Sequence, residues 1–126
     1  RHQKVLAIMV SPDFFAQQLN GQSDMTARQL ARARQALVEK ERLIRHQKIA
    51  MDLLKLPAKD RDVLVDRAAK VVDMWRQQKL CSADYVDRWS DILRLPPREM
   101  ADAIVSNADD WGAALRQNSP WVGVHL

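Results

Sequence analysis

The sequence predicts an all-α fold: a single-domain orthogonal helical bundle of five to six helices, with one long helix in the N-terminal half. Residues 26–56 contain neither Gly nor Pro, so one helix can run through them unbroken. Apolar residues recur at three- and four-residue spacings, the period of a buried helical face. A nine-residue motif also occurs twice: residues 52–60 read D-L-L-K-L-P-A-K-D and residues 91–99 read D-I-L-R-L-P-P-R-E, with four of nine positions identical. In each copy the proline stops the preceding helix and opens the next, so the motif predicts two helical corners. At 126 residues, with 47% apolar and 29% charged residues, the chain has the size and composition of one globular domain.

The elements follow in order. Residues 1–24 form an N-terminal segment and a short helix. Residues 5–10 (V-L-A-I-M-V) are apolar at every position and read as helix; the alternative is the short strand of a ribbon-type DNA-binding dimer, which lacks support because no polar face alternates with the apolar one. Ser11, Pro12 and Asp13 supply a cap, a first-turn proline and a first-turn acid for a helix reaching about Leu19. Asn20 and Gly21 end it, and residues 21–24 are expected to form a loop.

Thr26 then caps the long basic amphipathic helix, 26–56. Leu30, Leu37, Ile44 and Met51 repeat every seven residues, but Lys40 and Gln47 occupy companion positions that a coiled-coil seam would keep apolar. The row is therefore expected to face the core, with a dimer seam as the alternative. In that alternative Leu30, Leu37 and Ile44 contact the partner. Arg28, Arg32, Arg34, Arg42, Arg45 and Lys48 lie away from the row, interrupted by Glu39 and Glu41.

Residues 57–117 form the compact bundle. A helix from Pro57 to about Lys79 carries Val63, Leu64, Val65, Ala68, Ala69, Val71, Val72 and Trp75. Ser82 caps the next, whose Tyr85, Val86, Trp89, Ile92 and Leu93 lie on one side. Past the second corner a helix over 97–106 and a last one over about 108–116 complete the set. Residues 118–126 are expected to be an extended tail that either docks through Trp121 or offers it to a partner.

Charge and chemistry bound the function. Residues 1–50 hold nine Lys and Arg against four Asp and Glu, so the basic excess is confined to the first half. That asymmetry favours a polyanionic partner, and Arg28, Arg32, Arg34, Arg42, Arg45 and Lys48 are the candidate phosphate contacts. Cys81 is the lone cysteine and His2, His46 and His125 are scattered, so no disulfide, metal site or cofactor is expected. No nucleophile, base and oxyanion donor fall at a recognisable spacing, which argues against an enzyme or a small-molecule substrate. The apolar run at 5–10 is too short to span a bilayer, and the expected location is the cytoplasm.

Residues 56–64, L-P-A-K-D-R-D-V-L, resemble the Leu-Pro-x-x-x-Arg-x-Val-Leu opening of the promoter-reading domain of bacterial sigma factors. The resemblance ends there: that family turns at a glycine after a short helix, whereas here the apolar pattern continues through Ala68 to Trp75. The expected function is a non-enzymatic small regulatory protein, a DNA-binding repressor or antitoxin-like chain. It contacts phosphates through the basic helix and binds a protein partner or second copy, as a dimer, through apolar and Trp surfaces. The alternative is a protein-protein interaction module, an adaptor or inhibitor, that binds no nucleic acid.

Overall fold

The computed structural model describes residues 12–122, with only the backbone described at Pro12, Phe14, Phe15, Gln18 and Leu19. The expectations for residues 5–10 and for the last four residues lie outside this range. Every regular element among the described residues is an α-helix: α1 (Pro12–Lys55), α2 (Ala58–Gln78), α3 (Ala83–Leu93), α4 (Pro97–Val105) and α5 (Trp111–Gln117). The chain divides into two units, Arg1–Val38 and Glu39–Leu126.

In the first unit the expected loop at 21–24 is replaced by helix, since α1 runs from Pro12 without a break. A mid-helix glycine costs about 1 kcal/mol relative to alanine, too little to stop a helix flanked by Gln17, Gln22, Met25 and Ala27. A Cβ at Gly21 would meet open space, so no packing demand holds a glycine there. Thr26 does not cap: its hydroxyl donates to the Gln22 carbonyl at 2.9 Å, one turn back within the helix. Residues 20–37 are exposed throughout.

The second unit holds the core. Leu53, Ala68, Val72, Val86, Trp89, Met100, Ala101, Ile104, Leu115 and Trp121 are buried together. The twin motifs build twin corners: Pro57 has φ −55°, ψ 150° and Pro96 has φ −57°, ψ 155°, and each directly precedes a helix. In both cases the proline carbonyl accepts the first helical bond, from Arg61 N–H at 3.0 Å and from Met100 N–H at 2.8 Å. The same sequence thus gives the same backbone 39 residues apart.

Between the corners α2 ends at Lys79, whose left-handed φ 54°, ψ 38° lets its N–H and that of Leu80 both return to the Trp75 carbonyl. Ser82 occupies the N-cap position of α3, but its hydroxyl makes no capping bond. The last helix starts three residues later than expected, at Trp111, because Ser106 Oγ accepts Ala108 N–H and Asp109 Oδ1 accepts Trp111 N–H, folding 107–110 into a turn. Gly112 closes this corner, since a Cβ there would run into the Ser106 carbonyl oxygen. Arg116 reaches back to the same strip, donating to the carbonyls of Ile104 and Ser106 and to Asn107 Oδ1.

Candidate interaction surface

Within the second unit, α1 has one face turned in and an apolar face turned out. His46, Ala50 and Leu53, at i, i+4 and i+7, are buried, with Ile49 partly buried beside them. Ile44 and Met51 lie about half a turn away from that row, and Ile44, Met51 and Leu54 stay 52, 50 and 56% exposed. Leu30 and Leu37 in the first unit are 50 and 57% exposed. The expectation that Leu30, Leu37, Ile44 and Met51 face the core is therefore corrected: all four face solvent. The core takes a row centred on His46, a residue type that a search for apolar periodicity passes over.

A polar clasp holds that inner row. The Arg42 carbonyl can only accept, so His46 Nδ1 carries the proton donated to it at 2.7 Å. His46 Nε2 then accepts from the Ser119 hydroxyl, also at 2.7 Å, while Ser119 Oγ accepts the Trp121 N–H at 3.2 Å. His46 stacks on Trp89 at a centroid distance of 6.4 Å, and Trp89 meets Trp121 edge to face at 5.7 Å. Trp89 Nε1 donates to the Asn118 carbonyl at 2.8 Å, and Trp121 Nε1 donates to the Leu64 carbonyl at 3.4 Å. Burial pushes the His46 pKa below its ordinary value, and the nearby Arg116 and Arg45 charges push the same way, against the bond to the Arg42 carbonyl. Arg116 is itself lowered by burial, with Glu39 opposing.

Two expectations about the tail are corrected here. Residues 118–122 do not extend but turn inward, with Val122 N–H on the Ser119 carbonyl at 3.4 Å. Trp121 is 1% exposed and is a core residue of its own chain, so it presents no surface to a partner. The indole packs edge to face on Trp89, and its N–H finds the Leu64 carbonyl. His46 and Ser119 are 0 and 5% exposed, so this Ser-His pair is closed to any substrate and acts as a fastening.

The basic residues do not form a single face. In the first unit Arg28 and Arg32 are one turn apart, and Arg34 points to the other side of the helix. In the second, Arg45 and Lys48 are one turn apart and exposed, whereas Arg42 is half-buried beside the His46 bond to its carbonyl. None of Arg28, Arg32, Arg34, Arg45 or Lys48 forms an ion pair among the described residues. An open groove of about 430 Å³ lies where Leu53, Arg61, Asp62, Val65, Leu95 and Met100 meet.

Among the described residues no group of three His, Cys, Asp or Glu side chains is placed to hold a metal ion. No described helix is long and apolar enough to cross a membrane. No protein-family model, curated protein or solved structure matches the chain.

Proposed function

We propose that the protein is a non-enzymatic interaction module that binds another polypeptide through the outward apolar row of α1, on a scaffold of orthogonally packed helices. One observation carries the reading: Ile44 and Met51 stand half exposed on the side of α1 opposite its buried row. A single exposed apolar residue is ordinary, but aligned ones at helical spacing mark a face built to be covered. Covering the exposed half of each side chain is worth about 1 kcal/mol. The test replaces Ile44 and Met51 with Asp in the full chain and compares captured proteins with those held by the unaltered chain, using far-UV circular dichroism to check the fold. Specific loss of bound protein supports the reading, and an unchanged set of bound proteins overturns it.

The exposed cations favour a second reading, contact with nucleic-acid phosphates. Arg28, Arg32, Arg45 and Lys48 form no ion pair among the described residues and sit in the basic half of the chain. Each phosphate neutralised adds about 0.9 to the slope of log affinity against log salt. A salt titration on nonspecific duplex DNA, repeated with these four changed to Ala, is expected to give a steep slope that flattens. Absence of binding at low salt removes this reading, and the first stands without it.

A further inference from the structure

We propose that a second copy of this chain covers the outer row of α1, running antiparallel to the first and centred on the turn from Ile44 to Gln47. The inference rests on the reading of α1 as an interaction element and adds to it the occupant and its direction. Opposite charges flank the row. Glu41 and Lys48 are seven residues apart, so they lie on the same flank of Ile44 and Met51, and both are exposed. Lys40, Gln47 and Leu54 line the other flank, also exposed and also seven apart.

Direction follows from symmetry. A two-fold axis parallel to the helices brings equivalent residues of the central layers together, which would set Lys40 against Lys40 of the second copy in a half-apolar seam. Like charges placed opposite one another destabilise the pair, and Glu41 and Lys48 would gain nothing to offset this. A two-fold axis perpendicular to the helices reverses one of them and brings the same flank of each copy together. In an isologous contact, residue i meets j and j meets i. Glu41 then faces Lys48 of the second copy and Lys48 faces Glu41, giving two ion pairs from one register. In that register Ile44 packs near Gln47 of the other copy, and Lys40 lies toward the end of the seam beside Met51, where its long stem can cover apolar surface while the ammonium stays in water. Lys55 lies beyond the paired stretch.

The approach is open on this side of the helix, because the buried row of His46, Ala50 and Leu53 points the opposite way. The alternation of an acid and a base on one flank is self-complementary under reversal. A heterologous partner would have no need for that pattern to sit within a single chain.

Sedimentation equilibrium on the full chain tests this, with circular dichroism melts as the control for folding. The unaltered chain is expected at twice its 14.5 kDa mass, in a concentration-dependent equilibrium. Glu41→Lys and Lys48→Glu should each weaken the dimer roughly tenfold, since each loses two pairs and gains two repulsions. The double variant Glu41→Lys/Lys48→Glu restores both pairs with their signs exchanged and should recover most of the affinity. Ile44→Asp should yield a folded monomer. A chain that stays monomeric from micromolar to millimolar concentration overturns the second copy, yet leaves the row free for a different partner. A dimer whose double variant is no better than the single ones overturns the antiparallel register. A dimer that survives both Ile44→Asp and Met51→Asp moves the contact elsewhere and overturns the self-association through this row.

Discussion

Replacing Ser119 with Ala should cost far more than the loss of one surface hydroxyl. Ser119 Oγ serves two buried groups at once, donating to His46 Nε2 at 2.7 Å and accepting the Trp121 N–H at 3.2 Å. Without it, Nε2 faces a methyl group in a site where His46 is 0% exposed. Tautomer exchange offers no escape, because the Arg42 carbonyl requires the proton to remain on Nδ1. A buried acceptor or donor left without a partner costs about 1–3 kcal/mol, so two together set the loss at about 2–4 kcal/mol, allowing for partial relaxation. Urea unfolding at neutral pH, followed by far-UV circular dichroism and tryptophan fluorescence, measures the change. The companion variant His46→Leu removes the orphaned nitrogen, so Ser119→Ala made in that background should cost about 1–2 kcal/mol, the share of the Trp121 N–H alone. A loss below about 0.5 kcal/mol for Ser119→Ala, or strict additivity of the two changes, would refute the clasp as a stabilising network.

Three further outcomes follow from the same unit. The His46 pKa is lowered by burial and by Arg116 and Arg45, so the unfolded chain binds the proton more readily; stability is full above the ordinary value of 6.5 and falls as pH drops through it. The melting temperature should decline between about pH 7.5 and pH 5.5, above the usual carboxylate range, and His46→Gln should flatten that decline. Lys79→Gly relieves a left-handed backbone at an exposed helix end and should raise stability by about 0.5–1 kcal/mol in the same urea assay. Gly112→Ala drives a methyl group into the Ser106 carbonyl, which also accepts the Arg116 guanidinium at 2.9 Å, and should lower stability by about 1–3 kcal/mol by thermal melt.

The corners were legible because their cause is local. Proline's fixed φ and missing N–H act within a residue or two, so D-L-L-K-L-P and D-I-L-R-L-P mark the ends of α1 and α3 without reference to anything distant. The run from residue 12 to 55 is not legible locally, for the converse reason. Asn20 and Gly21 are statistical stops, but stopping a helix depends on what the chain does next, and Gln22, Met25 and Ala27 favour continuing. The fate of Trp121 depends on contacts 32 and 57 residues away, with Trp89 and with the Leu64 carbonyl. No pattern within residues 118–126 contains that information. Arg116 is similar: a lone basic residue in a short helix reads as surface, and only the turn at 106–107 supplies the acceptors that bury it.

The outward row and the inner clasp are one structural decision seen from two sides. Apolar residues on α1 span a wide arc, with Ile44 and Met51 at one limit and Ala50 and Leu53 at the other, so hydrophobicity by itself leaves the rotation of the helix loosely specified. Turning α1 to bury Ile44 and Met51 would gain about 1 kcal/mol for each. The same turn would pull Leu53 from the core, at about 2 kcal/mol, and separate His46 from Ser119, leaving the buried Ser119 hydroxyl without its acceptor at about 1–3 kcal/mol. Leu53 and the polar bond together therefore outweigh the apolar residues left in solvent, and the bond of His46 tips the balance over which face of the helix stays exposed. A chain that held α1 only by apolar packing would have no comparable reason to keep Ile44 and Met51 exposed. With the clasp in place, the row is available to a partner without any rearrangement of the core.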